Sequence, residues 1–244
     1  MKYIFKSNFY RLKKDRFFLI SIIFSLILIV FNSYQIISNN ELVVTGWNKL
    51  RDGLVETQLW EYLFLILLAN IINEDFNSGV IKNIFSRGVD RKKYYLGLIL
   101  TILVILLTLS LANAFLGTLI ATLKHGFGTI DNFILSIFAF VLKIIVLLIN
   151  LCFITTTTII TKNAIQGFIS GLLMLNLASI LNIGAKIVNV NIPFQKLGIS
   201  YYTSLIFDFS YDGFQYLLAL LVCFIYLIFA ICVGLKKIYS QDIK

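Results

Sequence analysis

Long apolar runs separated by short polar ones set the pattern of this chain. About 20 apolar residues suffice to cross the hydrocarbon core of a bilayer as a helix. The pattern predicts six such spans, near residues 17–37, 59–74, 95–122, 133–159, 165–183 and 215–235. Ahead of the first, Ile4, Phe5, Phe9 and Leu12 form a helical stripe with Lys2, Lys6, Lys13 and Arg16 elsewhere, which predicts an amphipathic elbow helix over 1–16 lying flat on the membrane. Between the second and third spans, residues 73–95 form a basic, hydrophilic segment. Val80, Ile81, Ile84, Phe85 and Val89 fall on one side of a helix, and Asn77, Lys82, Asn83, Ser86 and Arg87 on the other, with Asn77 or Ser78 available as a cap. The connection over 184–214 is too apolar for a solvated loop and too interrupted for a span, so short outer re-entrant or interfacial helices are expected there.

Composition narrows the class. With 59% hydrophobic and 14% charged residues, and a mean hydropathy of +0.90, the chain has too little polar surface to clothe a soluble globule. A single proline, Pro193, suits uninterrupted helices, whereas a barrel would show short strands of alternating polarity. The expectation is an all-α membrane protein, with residues 1–244 forming one transmembrane domain. The net charge of +9 matters through its distribution and does not indicate a nucleic-acid partner. Fifteen of the 21 basic residues fall on the side that holds both termini and the 73–95 segment. The positive-inside rule puts that side in the cytoplasm, and the same residues face anionic lipid there. Trp47, Trp60 and Tyr62 fit an outer aromatic belt.

Candidate chemistry is sparse. No G-x-x-x-x-G-K-[ST], H-E-x-x-H or G-x-S-x-G occurs, so neither nucleotide binding nor hydrolysis has a motif in this chain, and no metal or cofactor site is expected. His125 is the only histidine and reads as a loop residue. Cys152, Cys223 and Cys232 lack metal spacing and read as buried packing residues. Lys143 is the one charge near the middle of a span and needs a partner or water; Glu61, near the outer end of the second span, is the candidate. Such a pair could line a pathway, gate it, or tie helices together. Gly167 and Gly171 form a G-x-x-x-G, which permits close helix approach within the chain or at a homodimer seam, and Gly117 with Ala121 repeats the spacing. Thr155 to Thr158 can bond back to carbonyls one turn earlier. The residues alone leave open whether the polar face of 73–95 meets a protein or only lipid.

The order E-D-F-x-S-G-x-I-K-N-x-x-S-R-G-x-x-R-x-x-Y-Y, carried by Glu74, Gly79, Lys82, Ser86 and Arg91, resembles the cytoplasmic connection between spans 2 and 3 in permease subunits of type-2 ABC exporters. It is most similar to Gram-positive permeases for export of amphipathic peptide toxins, such as phenol-soluble modulins, or for bacteriocin and lantibiotic immunity. The resemblance implies a bacterial cytoplasmic membrane protein in which a coupling helix within 73–95 docks on a separate ABC ATPase subunit, with Glu74, Gly79, Lys82, Phe85, Arg87 and Arg91 near the contact. It further implies a dimer with itself or a paralogue, ATP and Mg in the partner subunit, and an amphipathic peptide or lipid-like cargo. The alternative is an ATPase-independent immunity or sensor protein, or a secondary-carrier subunit.

Overall fold

The computed structural model describes residues 2–38, 44–187, 201 and 213–240, and all regular structure among them is helical. Helix α1 (Lys2–Lys14) occupies the segment expected to form the elbow and is called the elbow helix below. It stops at Asp15, whose Oδ1 accepts from Phe17 N at 2.8 Å and so starts α2 (Arg16–Ser38), the first span. Helices α3 (Gly46–Val55) and α4 (Leu59–Asn77) follow, then the short α5 (Val80–Ser86) and α6 (Arg91–His125). The remainder are α7 (Phe133–Thr161), α8 (Ala164–Ile187) and α9 (Gly213–Ser240). The closest packing joins α7 to α8 and α9, and α6 to α3.

Among the described residues, five helical runs are long and apolar enough to cross a membrane, one of them Gly46–Asn77, which joins α3 and α4. The segment expected at 165–183 lies in α8, where Ala164–Asn176 forms a shorter apolar stretch. The outer helices expected over 184–214 lie outside the described residues, apart from the end of α8, Tyr201 and the start of α9.

The second span differs from its expectation. Asn48, Lys49, Arg51 and Asp52 make residues 46–55 look like a solvated connection, yet they form α3, which packs lengthwise on α6. Thr45 caps it, accepting from Asn48 N, and Trp47, Gly53 and Val55 are buried. Gly53 permits the approach: a Cβ there would meet the Ala114 Cα at 2.7 Å. Span 2 is therefore a broken helix, interrupted at residues 56–58. Trp60, expected in an outer aromatic belt, is fully buried just past the break.

The 73–95 segment also departs from a single helix. Helix α4 continues to Asn77, Gly79 takes φ +69° as the N-cap of α5, and Gly88 takes φ +81° before Asp90 caps α6. Neither Asn77 nor Ser78 caps α5; Ser78 Oγ bonds back to Glu74 O. Two left-handed glycines thus cut the segment into three pieces, of which α5 is the middle.

Candidate functional site

Helix α5 presents two faces at the basic end of the bundle, the end that gathers α1 and the C-terminus of α9. Lys82, Asn83, Ser86 and Arg87 are exposed, Ile81 is buried, and Ile84, Phe85 and Val89 are half-buried against the core. Glu74 is exposed at the end of α4. Lys82 and Arg87 thus present charge outward from a helix anchored on its other side.

The anchoring is aromatic and ionic. The Phe85 ring meets Tyr94 edge to face at 5.6 Å, and the Arg91 guanidinium stands 5.5 Å from the Phe85 centroid. Arg91 also donates to the carbonyls of Ile238 at 3.0 Å and Tyr239 at 2.9 Å, satisfying the last turn of α9. Arg91 therefore joins α5, α6 and α9. The Tyr239 hydroxyl donates to Asp90 Oδ1 at 2.7 Å. That bond, with the Lys92 amide, holds the Asp90 carboxyl below the usual carboxylate range.

Beneath Tyr94 lies a pair that the sequence pattern does not single out. Tyr94 Oη donates to Asp75 Oδ2 at 2.6 Å, and Arg11 Nη1 lies 2.6 Å from Asp75 Oδ1. Arg11 Nη2 also donates to Ile71 O at 3.3 Å. Burial works against charge on Arg11, but the hydrogen bond and field of Asp75 outweigh it and raise the guanidinium above its usual pKa. One buried carboxylate thus ties the elbow, the end of α4 and the start of α6 together. The available signal was an acidic residue at the end of an apolar run, which Glu74 beside it masks.

The second polar centre is at the break in span 2. Lys143 lies ten residues into α7, roughly 15 Å along it. Its Nζ is 2.8 Å from Glu61 Oε1, and both residues are buried. It also donates to Glu61 Oε2 at 2.9 Å and to Glu56 O at 3.3 Å. Glu61 in turn accepts from Gln58 N at 3.2 Å as the capping-box residue of α4. A single ammonium thus meets the carbonyl end of α3 and the carboxylate at the amide end of α4, satisfying both broken ends. A cavity of about 120 Å³ adjoins the pair, with Thr57, Asn150 and Asn176 in its wall.

Gly167 and Gly171 are spent inside the chain. A Cβ on Gly167 would run into Thr158, and one on Gly171 would meet Ile154 at 2.8 Å. Thr157 Oγ1 donates to Gly167 O at 2.7 Å, and Thr155, Thr156 and Thr158 each bond back one turn along α7. Among the cysteines, Cys152 and Cys223 are buried and Cys232 is exposed. His125 closes α6, with a buried Nε2 that has no hydrogen-bond partner among the described residues.

The sequence model of the family described as ABC-2 family transporter protein matches residues 4–183, most of the chain, including the Arg11–Asp75–Tyr94 and Glu61–Lys143 contacts but not the α9 partners of Arg91 and Asp90. No curated protein matches the sequence.

Proposed function

We propose a specific role for this chain, which belongs to the ABC-2 transporter family as a membrane permease subunit. In this reading it works as a dimer, with itself or a paralogue, and a separate cytoplasmic ATPase subunit docks on α5 and supplies ATP and Mg. Its direction is export, and its cargo is amphipathic, a peptide or lipid-like molecule. The basic end then faces the cytoplasm, consistent with the charge asymmetry.

The observation that carries the reading is the two-faced fixation of α5. Its outer face offers Lys82 and Arg87, while its inner face bears on Tyr94 and Arg91, which reach α4, α1 and α9. A partner that displaces α5 therefore moves the basic ends of several helices together. ATP drives the partner between two states, and coupling requires only that each state favour a different position of α5.

Charge reversal of the outer face is the direct test. The Lys82→Glu/Arg87→Glu variant should lose at least tenfold in association with the co-expressed ATPase, because an interfacial charge facing its complement becomes a repulsion. Copurification from detergent at matched expression measures this. Undiminished association together with undiminished ATP-driven transport would remove α5 as the docking element.

A further inference from the structure

Under the elbow helix lies a cavity of about 400 Å³ that the docking reading does not use. Leu12, Ile71, Leu98 and Ile102 form its apolar part, and Asn8, Arg11, Lys14 and Arg16 its polar part. Two carboxylates also reach it, Asp15 and Glu74. Asp15 is engaged in capping α2, and Arg11 is held by Asp75. Lys14 and Arg16 enter no ion pair among the described residues; Lys14 Nζ rests 4.6 Å from the centroid of the Tyr10 ring. Asn8 Nδ2 is buried with no hydrogen-bond partner among the described residues. The elbow itself carries Lys2, Lys6, Arg11, Lys13 and Lys14 and no acid.

We propose that this cavity holds one anionic phospholipid from the leaflet at the basic end, its phosphate on Lys14 and Arg16 and an acyl chain along Ile71, Leu98 and Ile102. A soluble anion would use the cations and leave the apolar part wet, whereas an amphiphile with a phosphate satisfies both. Basic pockets between spans on the cytoplasmic side of membranes bind anionic headgroups for this reason. Volumes of roughly 300–1,000 Å³ are typical of discrete ligand sites, so the cavity suits a headgroup with the first part of a chain and not a whole lipid. The lipid packs against the same turn of α1 that carries Arg11, so it holds the elbow onto α4. This goes beyond the docking of an ATPase, and its test reads lipid alone.

The test is native mass spectrometry of the full chain in detergent, titrated with phosphatidylglycerol and phosphatidylcholine of equal chain length. The wild type should retain one phosphatidylglycerol per chain in roughly tenfold preference to phosphatidylcholine. Lys14→Gln/Arg16→Gln, both exposed positions, should bring that ratio below about twofold, while Lys236→Gln/Lys237→Gln, in a separate basic cluster, leaves it unchanged. Inorganic phosphate at equal concentration should not displace the lipid. No preference in the wild type, a preference that survives in Lys14→Gln/Arg16→Gln, or equal loss in the control variant overturns the proposal. Displacement by inorganic phosphate would make this a free-anion site and overturn it equally.

Discussion

Lys143 is the residue at which local chemistry is most exposed to test. An isolated lysine deep in a span costs roughly 2.5–3.5 kcal/mol on insertion scales, and this one has its charge met by Glu61 at 2.8 Å and by the Glu56 carbonyl at 3.3 Å. Removing one partner of a buried pair strands the other charge and typically costs about 3–5 kcal/mol, whereas replacing both leaves no stranded charge and is often close to neutral. Lys143→Met should therefore lower the thermal midpoint of the detergent-solubilised chain sharply, and Glu61→Gln/Lys143→Met should recover most of the loss. Equal midpoints for Lys143→Met and the wild type would mean that the pair is not holding the break. The sequence offered both residues because charges inside apolar runs stand out. It did not offer Glu56 O, since a backbone carbonyl becomes an acceptor only where a helix ends, and nothing in the polar composition of 46–55 announces that a helix ends there.

At the scale of elements, the contact between the end of α9 and the start of α6 is a latch with a pH signature. Asp90 accepts from the Tyr239 hydroxyl and the Lys92 amide, and its carboxyl titrates below the usual range. Its folded pKa lies below its unfolded one, so the latch contributes fully above the ordinary carboxylate value and is lost as pH falls through the lowered value. Hydrogen exchange at the last turn of α9 should accelerate across that acidic window, and Asp90→Asn should flatten the dependence. Identical pH profiles for the two proteins would place the effect in another carboxylate. The apolar spans were legible because each is a run whose burial or lipid exposure is settled by composition. The single helix expected over 73–95 was not borne out, because periodicity persists across a glycine while the backbone does not. Gly79 and Gly88 both adopt positive φ, and each ends a helix that the side-chain pattern would have continued. Helix α3 escaped for the opposite reason: its polar residues mark a solvated loop only if no neighbour covers the other face, and α6 covers it.

For the whole molecule, the proposed docking function predicts that the outer face of α5 and the buried Asp75 beneath it can be separated by mutation. The G-x-x-x-G stripe in α8 is filled by α7 within the chain, so those two glycines are not free to form a seam with a second copy. At the basic end, by contrast, Asp75 meets both Arg11 of the elbow and Tyr94 of α6. It is not part of the outer face of α5, so its loss should leave the docking charges in place. Asp75→Asn keeps the shape, removes the charge that Arg11 needs, and leaves a hydrogen-bond acceptor for Tyr94. Such a variant should bind the ATPase as the wild type does while ATP-driven transport falls by roughly tenfold or more, the scale expected when a buried charged hydrogen bond is lost. Arg11→Ala should give a similar defect, and Arg11→Ala/Asp75→Asn should be no worse than either alone, because both disrupt one interaction. Additive losses would mean that Arg11 and Asp75 act on separate paths. Lost ATPase association in Asp75→Asn would mean that docking and transmission share one surface, and the elbow would then belong to the docking site itself.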